Sequence, residues 1–169
     1  MPVTYDNIAT TTLTSAASTI TFSSIPATYT DLRVILVANS TSTLSKRIQF
    51  NTDTSTSSTN YSTIKITGNG STVSSTGQQS EFGIRFASDA VGDSLSIPVF
   101  STIDIFSYTG STNKTVLATT SSDQNGSGYV QRTVGLWRQT AAITAIVLMI
   151  NGANYDIGTT ATLYGIKNA

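Results

Sequence analysis

The chain contains no cysteine and no histidine. The first absence excludes disulfides and thiolate chemistry and leaves the redox compartment open. The second removes the commonest acid–base group and the commonest metal ligand, and with them any Ser-His-Asp triad. Charge is scarce too: nine basic and nine acidic residues among 169, or 11%, where an average protein has about 25%. The charges cancel, and Lys46-Arg47 is the one adjacent basic pair, so no nucleic acid partner is expected. Residues 1–6 lack the charged start and apolar core of a signal peptide. The longest apolar run, 141–150, falls short of the ~20 residues that span a bilayer. No membrane partner is expected, and synthesis in the cytoplasm is.

What the chain does have is serine and threonine, roughly a third of all residues, far above ordinary usage. Threonine suits pleated, half-buried surfaces and serine suits turns. Apolar residues recur along the whole length, which argues against disorder. The length fits one domain with a real core. Runs of alternating polarity, separated by turn chemistry, predict eight to ten short strands and no amphipathic helix. The fold class expected is all-β: a single antiparallel β-sandwich, jelly roll-like. The domain covers residues 8–169, preceded by an N-terminal arm over 1–7.

Two strands are expected at the centre. In 32–38, Leu32, Val34, Leu36 and Ala38 share one face. In 141–150, Ile146, Leu148 and Ile150 share one face, and Ile143, Ala145, Val147 and Met149 the other. Runs 141–150 and 159–166 read as antiparallel strands joined irregularly around Asn151-Gly152. Leu36, Ile146, Leu148 and Leu163 are the expected core. Residues 52–60 read as an exposed loop, and 68–77 as another loop or a flexible hairpin tip.

Each chemical motif meets a plainer reading. Asp123-Gln-Asn-Gly-Ser-Gly128 has the oxygen ligands and glycines of a calcium loop but lacks the later bidentate Glu, and Asn-Gly is a strong turn signal. Asp89 and Asp93 could be paired carboxylates, yet both sit in a turn. Asp104 lies between Ile103 and Ile105, which turns it outward if they face the core. No nucleophile elbow, phosphate loop or dinucleotide fingerprint is present. No catalytic residue, metal ligand or cofactor is expected, and the protein is not read as an enzyme. Trp137, the single tryptophan, could anchor an interface or stack on a sugar; otherwise it is a core aromatic.

The opening stretch 5–32, beginning Tyr5-Asp-Asn-Ile8, resembles the start of a group of small virion proteins of tailed bacteriophages, frequent in cyanophages. Gly135-Leu-Trp137, Thr140-Ala-Ala-Ile-Thr144 and Thr160-Ala-Thr-Leu-Tyr-Gly-Ile166 are similar to their C-terminal part. The likeness covers both ends, with a variable middle, and transfers no functional residue. It implies a structural role in the virion. One form is a capsid decoration (cement) protein on the capsid exterior, bound to the major capsid protein. The other is a tail-fibre or receptor-binding head contacting host surface glycans. Such proteins are commonly β-rich homotrimers, and a chain with little surface charge and strands apolar on both faces is expected to form one. Pro2, Val3, Tyr5 and Asp6 of the arm, with Trp137, are the expected partner-binding residues.

Overall fold

The computed structural model describes residues 4–40, 44–87 and 97–167. All regular structure among them is β-strand, in two antiparallel sheets. The larger runs in the order β1 (Tyr5–Thr12), β12 (Thr160–Ile166), β3 (Asp31–Ala38), β8 (Val99–Phe106), β9 (Lys114–Asp123), β10 (Gly128–Trp137), β5 (Tyr61–Gly68) and β6 (Val73–Glu81). The smaller is β2 (Thr19–Phe22), β11 (Ile146–Ile150), β4 (Lys46–Phe50) and β7 (Ile84–Ala87). Only the β5–β6 hairpin and the β8–β9–β10 meander keep consecutive strands in one sheet; every other connection crosses between layers. The result is the jelly-roll-like β-sandwich that the strand spacing predicts.

The core lies where the alternation put it. Leu32, Val34, Leu36 and Ala38 of β3 are fully buried, as are Ile146 and Leu148 of β11 and Leu163 of β12. The pairing of the last strands is different from expectation. Runs 141–150 and 159–166 do not pair with each other. β11 inserts between β2 and β4, and β12 between β1 and β3. Each thereby gains two neighbours and bonds its main chain on both sides, which a hairpin between them would not give.

β11 also starts later than the apolar run does. Asn51, in the left-handed region at φ 54°, occupies the main chain just before it. Its Oδ1 accepts from the amides of Thr144 (2.8 Å) and Ala145 (3.2 Å), and its Nδ2 donates to the Ala142 carbonyl (2.9 Å). Those groups are taken by a side chain, so no ladder forms until Ile146.

Two further expectations are corrected. Residues 5–7 are not a free arm: they open β1 and pair with Ile166, Gly165 and Tyr164. Residues 68–77 hold a hairpin tip, but a short one: the chain turns at 69–72, and 73–77 already run as β6 along β5. Segment 52–60 is a loop, but a tied one, as described below. The Asp123 segment is a turn. Asn125 and Gly126 both have positive φ (58° and 87°), the conformation tight hairpins need, and the Asp123 carboxylate accepts from the Gly126 amide at 2.9 Å.

Candidate docking face on the larger sheet

Cross-strand register places the outward side chains of the larger sheet in rows. One row reads Thr12, Thr160, Val37, Phe100, Ser121, Val130, Gly68, Val73. The next reads Thr10, Thr162, Ile35, Thr102, Thr119, Arg132, Ile66, Ser75. A third runs from Tyr164 through Arg33, Asp104, Leu117 and Val134 to Ile64 and Gly77. Polarity therefore changes across the face. At the β1–β12 end, threonine hydroxyls bond across strands, Thr10 to Thr162 at 3.2 Å and Thr12 to Thr160 at 3.1 Å. In the middle, Arg33 Nε donates to Asp104 at 2.5 Å and Arg33 Nη1 to the Tyr5 hydroxyl at 3.1 Å. Asp104 thus faces outward as half of an ion pair, and its carboxylate lifts the Arg33 guanidinium pKa above its ordinary value.

At the β10–β5–β6 end the face is apolar and in water. Ile64 is 64% exposed, Ile66 53%, Val73 76%, Val130 61% and Val134 48%. Ile64, Ile66 and Val134, with Arg132, border a groove of about 270 Å³. Arg132 donates to the Thr119 hydroxyl at 2.9 Å and is exposed.

Alternation in this half of the sheet is inverted, and β7 explains the inward side. β7 is an edge of the smaller sheet and lies beneath β9, β10 and β5, so one side of its backbone has no strand partner. Inward polar side chains supply the missing bonds. The Phe86 carbonyl accepts from Thr120 Oγ1 (2.7 Å) and Gln131 Nε2 (3.0 Å), and the Arg85 amide donates to Thr63 Oγ1 (3.2 Å). Gln131, Thr120 and Thr133 are buried for this reason, and Gly135 is bare because Ile84 fills the space a Cβ would need. With polar residues turned in, the alternate positions of β5 and β10 turn out.

That inversion is why sequence reasoning missed the face. In 61–66, alternation alone puts either Tyr61 and Thr63 or Ile64 and Ile66 inside. The available signal was Gln131 and Thr133 opposed to Val130 and Val134 in the neighbouring strand, but it becomes readable only once β7 is known to lie below.

The residues expected to meet a partner are scattered. Pro2 and Val3 lie outside the described residues. Tyr5 is 45% exposed at the β1 edge, packed edge-on to Tyr164, and Asp6 is bonded to Lys167 at 2.8 Å. Of the two readings of Trp137 the core aromatic holds and the interface anchor does not: it is 2% exposed, stacked on Tyr61 and tilted against Phe50 at centroid distances of 6.3 and 5.4 Å. Its Nε1 donates to Asp53 at 2.7 Å. Asp53 also accepts from Asn60 Nδ2 (3.1 Å), and the Tyr61 hydroxyl donates to the Asp53 carbonyl (2.9 Å), so loop 52–60 is fastened to the core. Burial pushes the Asp53 carboxyl upward, but hydrogen bonds from Ser58, Trp137 and Asn60 outweigh it and hold the group below its ordinary range.

No protein-family description and no curated protein matches this chain. Among solved structures, galectin LEC-6 of Caenorhabditis elegans aligns over 91% of this chain and 94% of its own, with 9% identity and a TM-score of 0.35. At that score the likeness carries no argument about function.

Proposed function

We propose that the protein is a structural component of a bacteriophage virion: a decoration protein that binds the major capsid protein on the capsid exterior and stabilises the shell. The observation that carries this reading is the apolar face of Ile64, Ile66, Val73, Val130 and Val134 around Arg132. Fully burying one Ile or Val side chain is worth about 1.5–3 kcal/mol, and clustered exposed apolar residues mark docking sites. Arginine within an apolar surface is a common energetic anchor of interfaces. The resemblance of both chain ends to phage virion proteins supplies the setting. The mechanism is linkage: each copy that binds only the assembled shell favours that state, and many copies multiply the effect.

Purified protein added to capsids assembled without it should bind in hundreds of copies per particle and raise their thermal stability. Ile66→Glu should abolish binding. Capsids that take up none of the wild-type chain, or virions holding only a few tens of copies at the tail, would overturn this reading.

The second reading, a receptor-binding head of a tail fibre, draws on a different place. A groove of about 390 Å³ is lined by Asn51, Asp53, Asn60 and Gln139, with Trp137 at its wall. Amide and carboxylate groups suit sugar hydroxyls, and glycan-array binding lost in Gln139→Ala would favour it.

A further inference from the structure

Edges of β-sheets are open templates, and folded proteins blunt them with charge, proline, bulges, shortness or cover. Three of the four edges of this sandwich are blunted. β1 carries a bulge between Asn7 and Ala9 and the Asp6–Lys167 ion pair. β2 is four residues long. β7 is covered by side chains from the larger sheet. Among the described residues, β6 has none of these over Val73-Ser-Ser-Thr-Gly-Gln78. Its register against β5 is regular until the shift near Glu81, the stretch holds no charge and no proline, and all of it is exposed. This edge, unblunted by any of the described residues, borders the apolar face.

We propose that β6 pairs antiparallel with β6 of a second copy about a twofold axis, joining two larger sheets into one continuous sheet. The strand itself favours a second copy as its partner. An uncharged segment meets its own copy with no like charges opposed. Each copy has one such edge, so pairing uses it up and stops at two. A twofold perpendicular to the sheet leaves both apolar faces on the same side, doubling the platform around Ile64 and Ile66. Six residues span only about 20 Å, and the area covered is well below the ~800 Å² per partner of a standard interface. The dimer is therefore weak in solution and fills when copies are held side by side. It replaces the threefold association expected from composition, and it stands without the capsid reading.

The absence of cysteine makes the test clean, because a disulfide can form only where a thiol is introduced. Single substitutions Ser74→Cys, Ser75→Cys, Thr76→Cys and Gly77→Cys should give oxidised dimers, most efficiently at one position, while Thr12→Cys on the β1 edge should give at least tenfold less. Thr76→Lys and Thr76→Glu each bring two like charges beside the axis. Each alone should sediment as monomer at concentrations where the wild type dimerises, and an equimolar mixture should recover the dimer. Cross-linking no greater at β6 than at Thr12, a wild-type trimer, or a mixture that stays monomeric would overturn the proposal. Capsid binding that survives in Thr76→Lys would leave the decoration role standing while the pairing is judged by these arms.

Discussion

At one end of the outer face of the larger sheet, threonines of β1 and β12 bond to one another; at the other, isoleucines and valines of β5 and β10 stand in water. Both sets are β-branched and fit a pleated surface about equally well. Both lie on regular antiparallel pairs. Strand formation therefore does not require the apolar choice, because threonine does the same backbone work four to six strands away while satisfying its hydroxyl. The inward polar network above β7 accounts for which positions face out, but not for what occupies them. The proposed docking role would account for the occupants.

The comparison breaks first if the core does not end at the inner face. Leu36→Ala and Leu148→Ala should each lower the unfolding free energy by about 2–5 kcal/mol in chemical denaturation, while Ile66→Ala and Val130→Ala should change it by no more than about 0.5 kcal/mol. A loss above 1 kcal/mol at either outward site would make the apolar end a structural feature.

Gly135 probes the inward side of the same strand. A Cβ there would sit 2.3 Å from Ile84 Cγ2, so Gly135→Val should cost about 1–3 kcal/mol through overpacking. The double change Gly135→Val/Ile84→Ala should recover part of that loss.

Asp53 probes the tied loop beneath the same end of the sheet. Its folded pKa is held below the unfolded value of about 3.9. Its contribution to stability is therefore complete above that value and is lost as pH falls through the folded pKa. Thermal melts from pH 6 to pH 2 should show a steeper loss for wild type than for Asp53→Asn; parallel curves would remove the carboxylate from the account.

The smallest effect belongs to the threonine end. Thr10→Ala with Thr162→Ala should alter stability by no more than about 0.5 kcal/mol and leave capsid binding unchanged. A binding defect would move the docking face to the wrong end.

The sandwich was legible wherever one face of a strand is buried. Leu32, Val34, Leu36 and Ala38 announce β3 by themselves, and Ile146 and Leu148 announce β11. Periodicity reports which way a side chain points; it does not report which strand lies alongside, so the separation of β11 and β12 into different sheets was hidden. β6 was invisible for a related reason. Its serines, threonine, glycine and glutamines bury nothing over Val73–Ser80, and the strand exists through its main-chain bonds to β5. The arm at 5–7 was misread because Asp6 and Asn7 are poor strand formers, whereas β12 supplies the ladder that holds them.

The interleaving of β11 and β12 has a consequence for how the molecule comes into being. β1 cannot find its neighbour until residues 160–166 exist, and β2 and β4 are bridged only by residues 146–150. On a ribosome, β1 and β2 therefore emerge long before any strand that pairs with them, whereas β3 and β4 first meet β8 and β7. The meander of β8, β9 and β10 and the β5–β6 hairpin can zip locally, but β1 and β2 wait for chain more than a hundred residues downstream. Because such distant contacts must overcome loop closure before they stabilise anything, folding should be slow. Its decisive step should be the arrival of the last two strands, β11 joining β2 to β4 and β12 joining β1 to β3.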